Sequence, residues 1–301
     1  MKALTVFTPA YNRAHTIGRT YESLCRQTCK DFEWLVVDDG STDHTRELVE
    51  GWIADDVIPI RYVYQENQGM HGAHNTAYAN IRTELNVCID SDDWMPDDAV
   101  EKIISFWQKN GNEKYAGFIG LDQYSTGGVL GEQLPVERKE TTFREVHEIF
   151  KMRKDKKYVY RTDVINKYLP YPIFEGEKYY SLASVYAKID KDYKLLMTND
   201  ILAIIDYQDE GSSRGMWKQY WNNPRGMAHM RKTDMVEALT FKRKVVSNIH
   251  YVSHSIRSKN WKFIQESPMP LLTLVCILPG TILFFLNYYK VKTGALLNVN
   301  R

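Results

Sequence analysis

Short apolar runs alternate with longer amphipathic stretches through the first third of the chain. Each run is bounded by polar residues, a pattern typical of buried strands. The runs predict four strands, at Leu4–Phe7, Glu33–Val37, Ile60–Tyr64 and Leu85–Ile89. We expect Thr8-Pro9 to end the first strand.

The amphipathic stretches predict four helices. One begins at His15, and a second follows Ser41, whose hydroxyl is suited to capping a first helical turn. A third covers Asn75–Ile81. The fourth has Pro96 as its first residue, and Gly111 is expected to end it.

The alternation of strand and helix predicts an α/β fold with a parallel, Rossmann-like sheet flanked by helices. Ligands of such sheets bind at the carboxyl ends of the strands. A polar cluster follows each predicted strand at that end. The clusters are Thr8-Pro9-Ala10-Tyr11-Asn12, Asp38-Asp39, Gln65-Glu66-Asn67 and Asp90-Ser91-Asp92-Asp93.

The composition is that of a folded protein, with 44% hydrophobic and 26% charged residues, which excludes wholesale disorder. Four cysteines in 301 residues do not make a disulfide framework. Cys25 and Cys29 lack the second pair that a structural zinc site requires. We therefore expect free thiols in a reducing compartment.

The net charge of +1 is an average over two segments of opposite sign. Residues 215–301 contain 13 Lys and Arg against three acids, a net charge of +10. Residues 1–214 contain 26 bases against 35 acids, a net charge of −9. Such a basic segment indicates an anionic partner, either nucleic acid or a membrane surface.

Asp90-Ser91-Asp92-Asp93 is the sharpest chemical signal in the sequence. Residues i and i+2 of an extended segment point to the same side, so Asp90 and Asp92 face one direction. Convergent carboxylates repel one another unless a cation joins them, and oxygen ligands favour Mg²⁺ or Mn²⁺ over zinc. The alternative interpretation is a solvated acidic turn before the Pro96 helix.

Five motifs in this order and spacing resemble glycosyltransferase family 2. They are Thr8-Pro9-Ala10-Tyr11-Asn12, Gln27-Thr28, Val37-Asp38-Asp39-Gly40-Ser41-Thr42-Asp43, Asn67-Gln68-Gly69 and Asp90-Ser91-Asp92-Asp93. The first strand is followed by no Gly-x-Gly-x-x-Gly turn and the sequence has no Gly-Lys-Ser/Thr loop, which disfavours a dinucleotide fold and a P-loop NTPase. The resemblance implies the GT-A fold, with a mixed, mainly parallel sheet, and an inverting, metal-dependent transfer from a nucleotide sugar.

The resemblance also implies roles for individual residues. Asp39 would accept a hydrogen bond from the uracil N–H, with Asp38 as its substitute. Asp90 would approach the ribose, and Asp92, with Asp90, would bind the metal on the diphosphate. The full nucleotide-binding set is Thr8, Pro9, Tyr11, Asp38, Asp39, Asn67, His74, Asp90 and Ser91.

One residue of that set departs from the family pattern. The family commonly has an arginine before the asparagine of its Ala-Arg-Asn stretch, whereas this chain has Ala73-His74-Asn75. A neutral histidine has no permanent charge to offer a diphosphate, so the resemblance leaves the diphosphate contact of His74 open. The alternative interpretation is a polar residue of a loop or helix start.

An inverting transfer also requires a general base for the acceptor hydroxyl. Family enzymes usually have an Asp or Glu for this purpose near the start of a helix, well after the metal motif. Within Phe174–Tyr179, Glu177 is the best match and Glu175 the substitute, while a surface ion-paired glutamate is the alternative interpretation. Residues 207–214 resemble the family's loop near the acceptor or diphosphate.

Residues 267–289 contain no charged side chain and many aliphatic and aromatic ones. Their length permits a membrane crossing, but Pro268, Pro270 and Pro279-Gly280 argue against one straight helix. We favour an interfacial anchor on an anionic membrane surface over a transmembrane span, with a soluble core or an oligomer contact as the third interpretation. Nucleic acid is a poor partner, because the apolar run would then have no purpose.

These features predict a catalytic domain at residues 1–215 and a basic helical region with a membrane-associating tail at residues 216–301. The expected enzyme acts at the cytoplasmic face of the cell membrane. It moves a hexosyl or N-acetylhexosaminyl group from a UDP-sugar to a hydroxyl of a cell-surface polysaccharide or lipid-linked glycan. Two alternatives are transfer to a polyprenyl phosphate, which needs no protein base, and a catalytically degenerate module that binds nucleotide sugars.

Overall fold

The computed structural model describes residues 2–206 and 216–293. Within these ranges the chain divides into two compact units. The first contains residues 2–171 and 185–206, and the second contains residues 172–184 and 216–293. The predicted boundary at residue 215 lies outside the described residues. The segment 172–184, predicted to be part of the catalytic domain, packs with the C-terminal unit instead.

The first unit is built on an eight-stranded sheet in the order β3-β2-β1-β4-β7-β5-β8-β6. The strands are β1 Leu4–Ala10, β2 Phe32–Asp38, β3 Ile60–Tyr64, β4 Leu85–Cys88, β5 Tyr115–Tyr124, β6 Glu140–Thr141, β7 Lys157–Arg161 and β8 Lys194–Ile205. Strands β1 to β4 are parallel to one another, and β5 is parallel to β8. Strand β7 pairs antiparallel with β4 and β5, and β6 pairs antiparallel with β8. The prediction of a mixed, mainly parallel sheet is confirmed.

Helices connect these strands. They are α1 Ile17–Cys25, α2 Thr45–Asp55, α3 Met70–Asn80, α4 Ala99–Asn110, α5 Thr162–Ile165 and α6 Ala183–Ile189. Helices α1 and α4 each bury an apolar face, with Leu24 of α1 and Ile103 of α4 in one core together with Val6 and Trp34 of the sheet. Burial of one apolar stripe per helix stabilises the layers of helix against the sheet.

The predicted end of the first strand is wrong. Strand β1 continues through Thr8-Pro9 to Ala10, and Pro9 lies opposite Val37 of β2. On its other side β1 pairs with β4 only as far as Phe7. Beyond Phe7 the strand is paired on one side only, and proline is tolerated at such an edge position.

Three predicted helix starts also differ from the structure. Helix α1 begins at Ile17 and not at His15. Helix α3 begins at Met70, five residues before Asn75. Helix α4 begins at Ala99, because Pro96 lies in the turn before it and accepts the Ala99 N–H.

Ser41 is not a helix cap. Helix α2 begins only at Thr45, and the Ser41 hydroxyl instead accepts the N–H of Asn12 at 2.9 Å. This bond joins the loop after β2 to the loop after β1, so the sequence pattern identified a hydrogen-bonding serine but not its partner.

The second unit is helical. Its helices are α7 Met216–Asn222, α8 Pro224–Glu237, α9 Phe241–Arg257, α10 Pro270–Val275 and α11 Ile277–Lys292. Tyr251 and Val252 of α9 form its core with Met235 and Cys276. Gly280 of α11 lies so close to α9 that an added Cβ would be 2.5 Å from Val252 Cβ, which explains a glycine there.

Cys276 separates α10 from α11, in agreement with the prediction that residues 267–289 do not form one straight helix. No helix among the described residues is both long and apolar enough to cross a membrane.

Candidate active site

The carboxyl ends of β1, β2 and β4 bring the predicted nucleotide-binding loops together, because these strands are adjacent and parallel. The loops after β1 and β2 bind each other directly. Asn12 donates its N–H to Ser41 Oγ at 2.9 Å, and Thr42 donates its N–H to Asn12 Oδ1 at 2.8 Å. The site is therefore built on a hydrogen-bonded frame and not on independent loops.

Asp38, the last residue of β2, is buried with 1% of its surface exposed. Its Oδ1 accepts the Ser41 N–H at 2.8 Å and its Oδ2 accepts the Tyr62 hydroxyl at 2.5 Å. Burial, followed by the bond to Asp38, raises the pKa of Tyr62 well above its usual range. Asp38 thus holds the turn after β2, and its predicted role as a substitute uracil ligand remains a prediction.

Asp39 organises the loop that follows β3. Its Oδ1 accepts hydrogen bonds from Gln65 Nε2 at 2.7 Å and from the Gln68 N–H at 2.8 Å. Its Oδ2 accepts the Gly69 N–H at 2.8 Å. These three bonds fix the loop between β3 and α3 to the end of β2, and only 4% of the surface of Asp39 is exposed. Its predicted role as the uracil ligand remains a prediction.

Gly40 permits the close approach of that loop, which contains the predicted ligand Asn67. Its φ of +82° lies in the left-handed region, and a Cβ at this position would be 2.9 Å from Asn67 N. Both restrictions favour glycine. The sequence Asp38-Asp39-Gly40 is therefore required locally by the geometry of two loops.

The residues after β1 differ in accessibility. Tyr11 is half-exposed and Pro9 partly exposed, so both can contact a bound molecule. Thr8 is fully buried, and its hydroxyl accepts Trp34 Nε1 at 3.0 Å. The predicted contact of the Thr8 side chain with a nucleotide is therefore not supported, because this side chain already binds the core.

The acidic motif after β4 divides into an accessible pair and a buried pair. Asp90 is exposed and Asp92 half-buried, whereas Ser91 and Asp93 each have 4% of their surface exposed. Burial raises the pKa of Asp92, the Asp90 charge raises it further, and Arg13 opposes the shift. The accessible carboxylates are Asp90 and Asp92, the two predicted to bind a metal.

The chemistry of this pair fits a divalent cation. Carboxylate oxygens are the ligands that Mg²⁺ and Mn²⁺ prefer, and a cation would offset the repulsion that raises the pKa of Asp92. Within residues 2–206 and 216–293, no three His, Cys, Asp or Glu side chains are grouped to hold an ion. The protein would supply few ligands, as is usual for Mg²⁺ bound together with substrate phosphates.

A buried cluster of charged residues includes the last residue of the acidic motif and was not predicted from the sequence. It consists of Asp93, Asp122 and Lys157. Asp122 of β5 is fully buried, its two carboxylate oxygens accept no hydrogen bond from the described residues, and Lys157 Nζ of β7 lies 3.9 Å away. Burial raises the pKa of Asp122 to about 6, opposed by Lys157. Burial also raises the pKa of Asp93, again opposed by Lys157.

Lys157 therefore supplies the positive charge for this cluster. Burial alone would lower its pKa, but Asp122, Asp93 and Asp90 outweigh that effect and raise it. The sequence contains an indication of this pair, because a charged residue is unusual in a mainly apolar and aromatic strand. Asp122 lies within β5, and Lys157 is the first residue of β7. The pairing itself depends on β5 and β7 being neighbours.

His74 lies inside the core and not at an accessible surface. Its Nδ1 is 2.9 Å from the Met70 carbonyl oxygen, and its ring packs edge-on against Phe7 and Tyr171. With 1% of its surface exposed, it has no accessible atom for the predicted diphosphate contact. Burial lowers the pKa of His74 to about 4, so the imidazole is neutral at pH 7. This neutral state agrees with the expectation from the sequence for this position.

Glu177, the predicted base, lies in the second unit and binds the first turn of α8. Its Oε1 accepts the Arg225 N–H at 2.9 Å and its Oε2 accepts the Gly226 N–H at 2.8 Å. Only 7% of its surface is exposed. A carboxylate stabilises a helix N-terminus in this way, so Glu177 has a structural function. The substitute candidate for the base, Glu175, is exposed to solvent.

A family model agrees with these loops. The model described as "Glycosyl transferase family 2" matches residues 5–168, which is more than half of the chain. The chain belongs to glycosyl transferase family 2. The matched range contains every predicted nucleotide and metal ligand, but neither Glu177 nor Glu175. The predicted loop at residues 207–214 lies outside both the matched range and the described residues.

Two curated relatives resemble the family 2 region. Glycosyltransferase GlyA of Streptococcus pneumoniae serotype 4 is 37% identical over 100 residues, which is 33% of this chain and 14% of GlyA. Chondroitin synthase of Escherichia coli is 36% identical over 107 residues, which is 36% of this chain and 16% of the synthase. The aligned part thus covers less than a fifth of either relative.

Solved structures extend the likeness to both units. S. aureus TarS 1–349 in complex with UDP-GlcNAc matches with a TM-score of 0.64 and 16% identity, over 98% of this chain and 92% of TarS 1–349. The mannosyltransferase PcManGT from Pyrobaculum calidifontis, in complex with GDP-Man and Mn²⁺, matches with a TM-score of 0.53 and 13% identity, over 94% and 87%. The fold of this family 2 member is the GT-A fold.

The buried cluster generates a stability prediction. Substituting Lys157→Met leaves the buried Asp122 and Asp93 without a cation and should lower the free energy of unfolding by about 3–5 kcal/mol, measured by urea denaturation. The double variant K157M/D122L should be more stable than K157M, because it removes the uncompensated carboxylate. Lys114→Met, which breaks an exposed pair with Glu140, is the control and should leave the midpoint nearly unchanged. A K157M midpoint equal to that of K114M would contradict the role of Lys157.

The buried imidazole generates a pH prediction. The pKa of His74 is about 4 when folded and 6.5 when unfolded, so between these values only the unfolded chain binds the proton. Stability is therefore lost as the pH falls through this window, by about 2–3 kcal/mol between pH 7.5 and 4.5. His74→Gln should lose this part of the pH dependence in urea denaturation. His44→Gln, at an exposed position, should keep it. Equal pH slopes for wild type and H74Q would refute the assignment.

Proposed function

We propose that the protein is an inverting glycosyltransferase that uses a UDP-sugar and transfers the sugar to a hydroxyl of a cell-surface polysaccharide or lipid-linked glycan. The observation that carries this proposal is the accessible carboxylate pair, Asp90 and Asp92, beside the β1 and β2 loops of a family 2 sheet. Convergent carboxylates at strand ends are suited to a donor whose diphosphate is bound through a cation.

The uridine donor is supported by the fold. TarS 1–349 shares this fold in complexes with UDP-GlcNAc and with UDP, although PcManGT shares it with GDP-Man. In our proposal Asp39 accepts the uracil N–H, as the family resemblance implies, and the half-exposed Tyr11 packs against the base. Pro9 and Asn67 complete the nucleotide pocket.

Asp92, assisted by Asp90, would hold Mg²⁺ or Mn²⁺. A divalent ion bound there would offset the negative charge that develops on the departing diphosphate. The residues of the chain have a separate task, which is to hold these carboxylates in place. Lys157 and Asp122 form a buried ion pair. The Lys157 charge also acts on the buried Asp93, which directly follows Asp92 in the sequence.

The transfer itself forms one C–O bond and breaks another. The acceptor oxygen attacks the anomeric carbon on the face opposite the diphosphate, UDP leaves with the electron pair of the old bond, and a carboxylate takes the acceptor proton. Attack from the opposite face inverts the anomeric configuration. Glu177 is the first candidate for the base and the exposed Glu175 the second.

A second acceptor class is favoured by one specific observation. Both oxygens of Glu177 already accept backbone N–H groups at the start of α8, which is the contact of a structural carboxylate. An enzyme that transfers to a polyprenyl phosphate needs no protein base, since its acceptor is already an anion. The two acceptor classes make different predictions for the glutamate variants.

The proposed location is the cytoplasmic face of the cell membrane. All four cysteines are free, which is compatible with a reducing compartment. The membrane part of the proposal depends on the C-terminal helices.

Two isosteric variants test the base. Glu177→Gln should reduce transfer from UDP-GlcNAc to a panel of saccharides with free hydroxyl groups at least about 100-fold. The Kd for UDP should be unchanged, because a base contributes to the transition state and not to donor binding. Glu175→Gln is the matched control and should retain transfer. Thermal unfolding of both variants separates catalysis from the capping role of Glu177.

Each other outcome has a defined meaning. Loss of transfer in E175Q alone would assign the base to Glu175. Full transfer in both variants, with a polyprenyl phosphate as the productive acceptor, would replace the hydroxyl mechanism by the phosphate one. UDP binding without turnover on any acceptor would overturn the proposed activity.

A further inference from the structure

The outer face of α10 and α11 carries a continuous row of exposed apolar side chains. Leu271, Val275 and Leu278 have between 71% and 79% of their surface exposed. We call this row the apolar stripe. Its members are Leu271, Leu274, Val275, Leu278, Ile282, Phe285, Leu286 and Tyr289.

The stripe follows one side of the helical segment. Its members recur every three or four residues, which keeps them on a single helical face across the break at Cys276. From Leu271 to Tyr289 the row is about 27 Å long at 1.5 Å per residue. An apolar row of this length exposed to water is unusual for a soluble surface.

The opposite side of the same helices is already occupied by α9. Thr273 donates its hydroxyl to Asn248 Oδ1 at 2.6 Å, and Gly280 packs against Val252. The helices are therefore apolar both where they are covered and where they are exposed. A helix that is apolar all round is normally covered on all sides, whereas the described residues of this unit leave the stripe exposed.

Charge identifies the chemistry of that partner. The described residues of the second unit, 172–184 and 216–293, contain 13 Lys and Arg against five acids. Three of the acids, Glu177, Asp234 and Glu266, are paired with bases of the same unit. The stripe itself contains no charge, whereas exposed Lys290 and Lys292 lie at its end.

Exposed aromatic residues flank the stripe in sequence. Trp261, with 72% of its surface exposed, precedes α10 between the exposed Lys259 and Lys262. Tyr288 and Tyr289 lie near the end of α11 beside Lys290. Tryptophan and tyrosine with flanking lysines are typical of segments that lie in the membrane–water interface.

We propose that the apolar stripe docks on an anionic lipid bilayer, with α10 and α11 lying in the plane of the interface. The stripe inserts to a depth of about 5–10 Å, while the surrounding lysines contact lipid phosphates. A second copy of the chain is the less suitable partner, because a symmetric contact would bring two sets of bases together. This inference deepens the membrane location that is part of the proposed function, but it requires neither donor nor metal.

The test is flotation of the full chain with lipid vesicles. The wild type should float with vesicles of phosphatidylglycerol and phosphatidylcholine, and at least about tenfold less with phosphatidylcholine alone, because the bases require lipid phosphates of net negative charge. Leu278→Asp combined with Phe285→Asp should reduce the partition coefficient at least about tenfold on anionic vesicles. Both side chains are exposed, so folding is not affected.

Val57→Asp is the matched control. Combined with Ile149→Asp, it introduces the same two charges at positions of the first unit whose side chains are 58% and 51% exposed, and it should float like the wild type. Flotation of L278D/F285D equal to wild type, or no flotation of the wild type, would overturn the proposal. A wild-type dimer in light scattering that L278D/F285D converts to a monomer would overturn it as well and assign the stripe to a second copy.

UDP-GlcNAc turnover in detergent should be the same for wild type and L278D/F285D. Failure of the membrane proposal would leave that turnover intact, and failure of the proposed function would leave flotation intact. The two proposals are therefore distinguishable in one set of variants.

Discussion

Carboxylates withdrawn from water at the edge of the sheet must be compensated, and this requirement determines how the site is built. Asp38 and Asp39 are compensated by backbone N–H groups of the neighbouring loops and by the Tyr62 hydroxyl of β3, so their charge fixes those loops. Lys157 compensates the buried carboxylates behind β4. Asp90 and Asp92 remain accessible with a mutual repulsion that a cation would relieve. The same constraint that stabilises the fold therefore leaves charge available for a ligand.

The fold was predictable where the pattern is local and repetitive. The four predicted strands and the apolar faces of α1 and α4 follow from the spacing of apolar residues, although only β1, β2 and β4 are largely buried and the edge strand β3 is not. Element ends were less predictable. Strand β1 passes through Pro9 because its neighbour β4 has already ended there, and α2 starts late because Ser41 binds Asn12. Both depend on partners distant in sequence.

The site was predictable as a set of loops but not as a set of side-chain contacts. Asp90 and Asp92 are accessible, but in a turn and not in the extended segment from which their direction was predicted, because Asp93 donates its N–H to the Asp90 carbonyl at 3.0 Å. His74 is buried against aromatic rings that the sequence does not bring near it. The pairing of Asp122 with Lys157 requires that β5 and β7 be neighbours, which follows from topology and not from spacing.

Calorimetric titration of UDP, with Mn²⁺ and with EDTA, tests the central claim most directly. If the accessible pair binds the diphosphate through a cation, wild-type protein should bind UDP at least about tenfold more tightly with Mn²⁺, a difference of about 1.4 kcal/mol. Asp92→Asn should abolish that gain while retaining the affinity measured in EDTA. Equal affinity in Mn²⁺ and EDTA for the wild type, or an undiminished gain in D92N, would contradict the account.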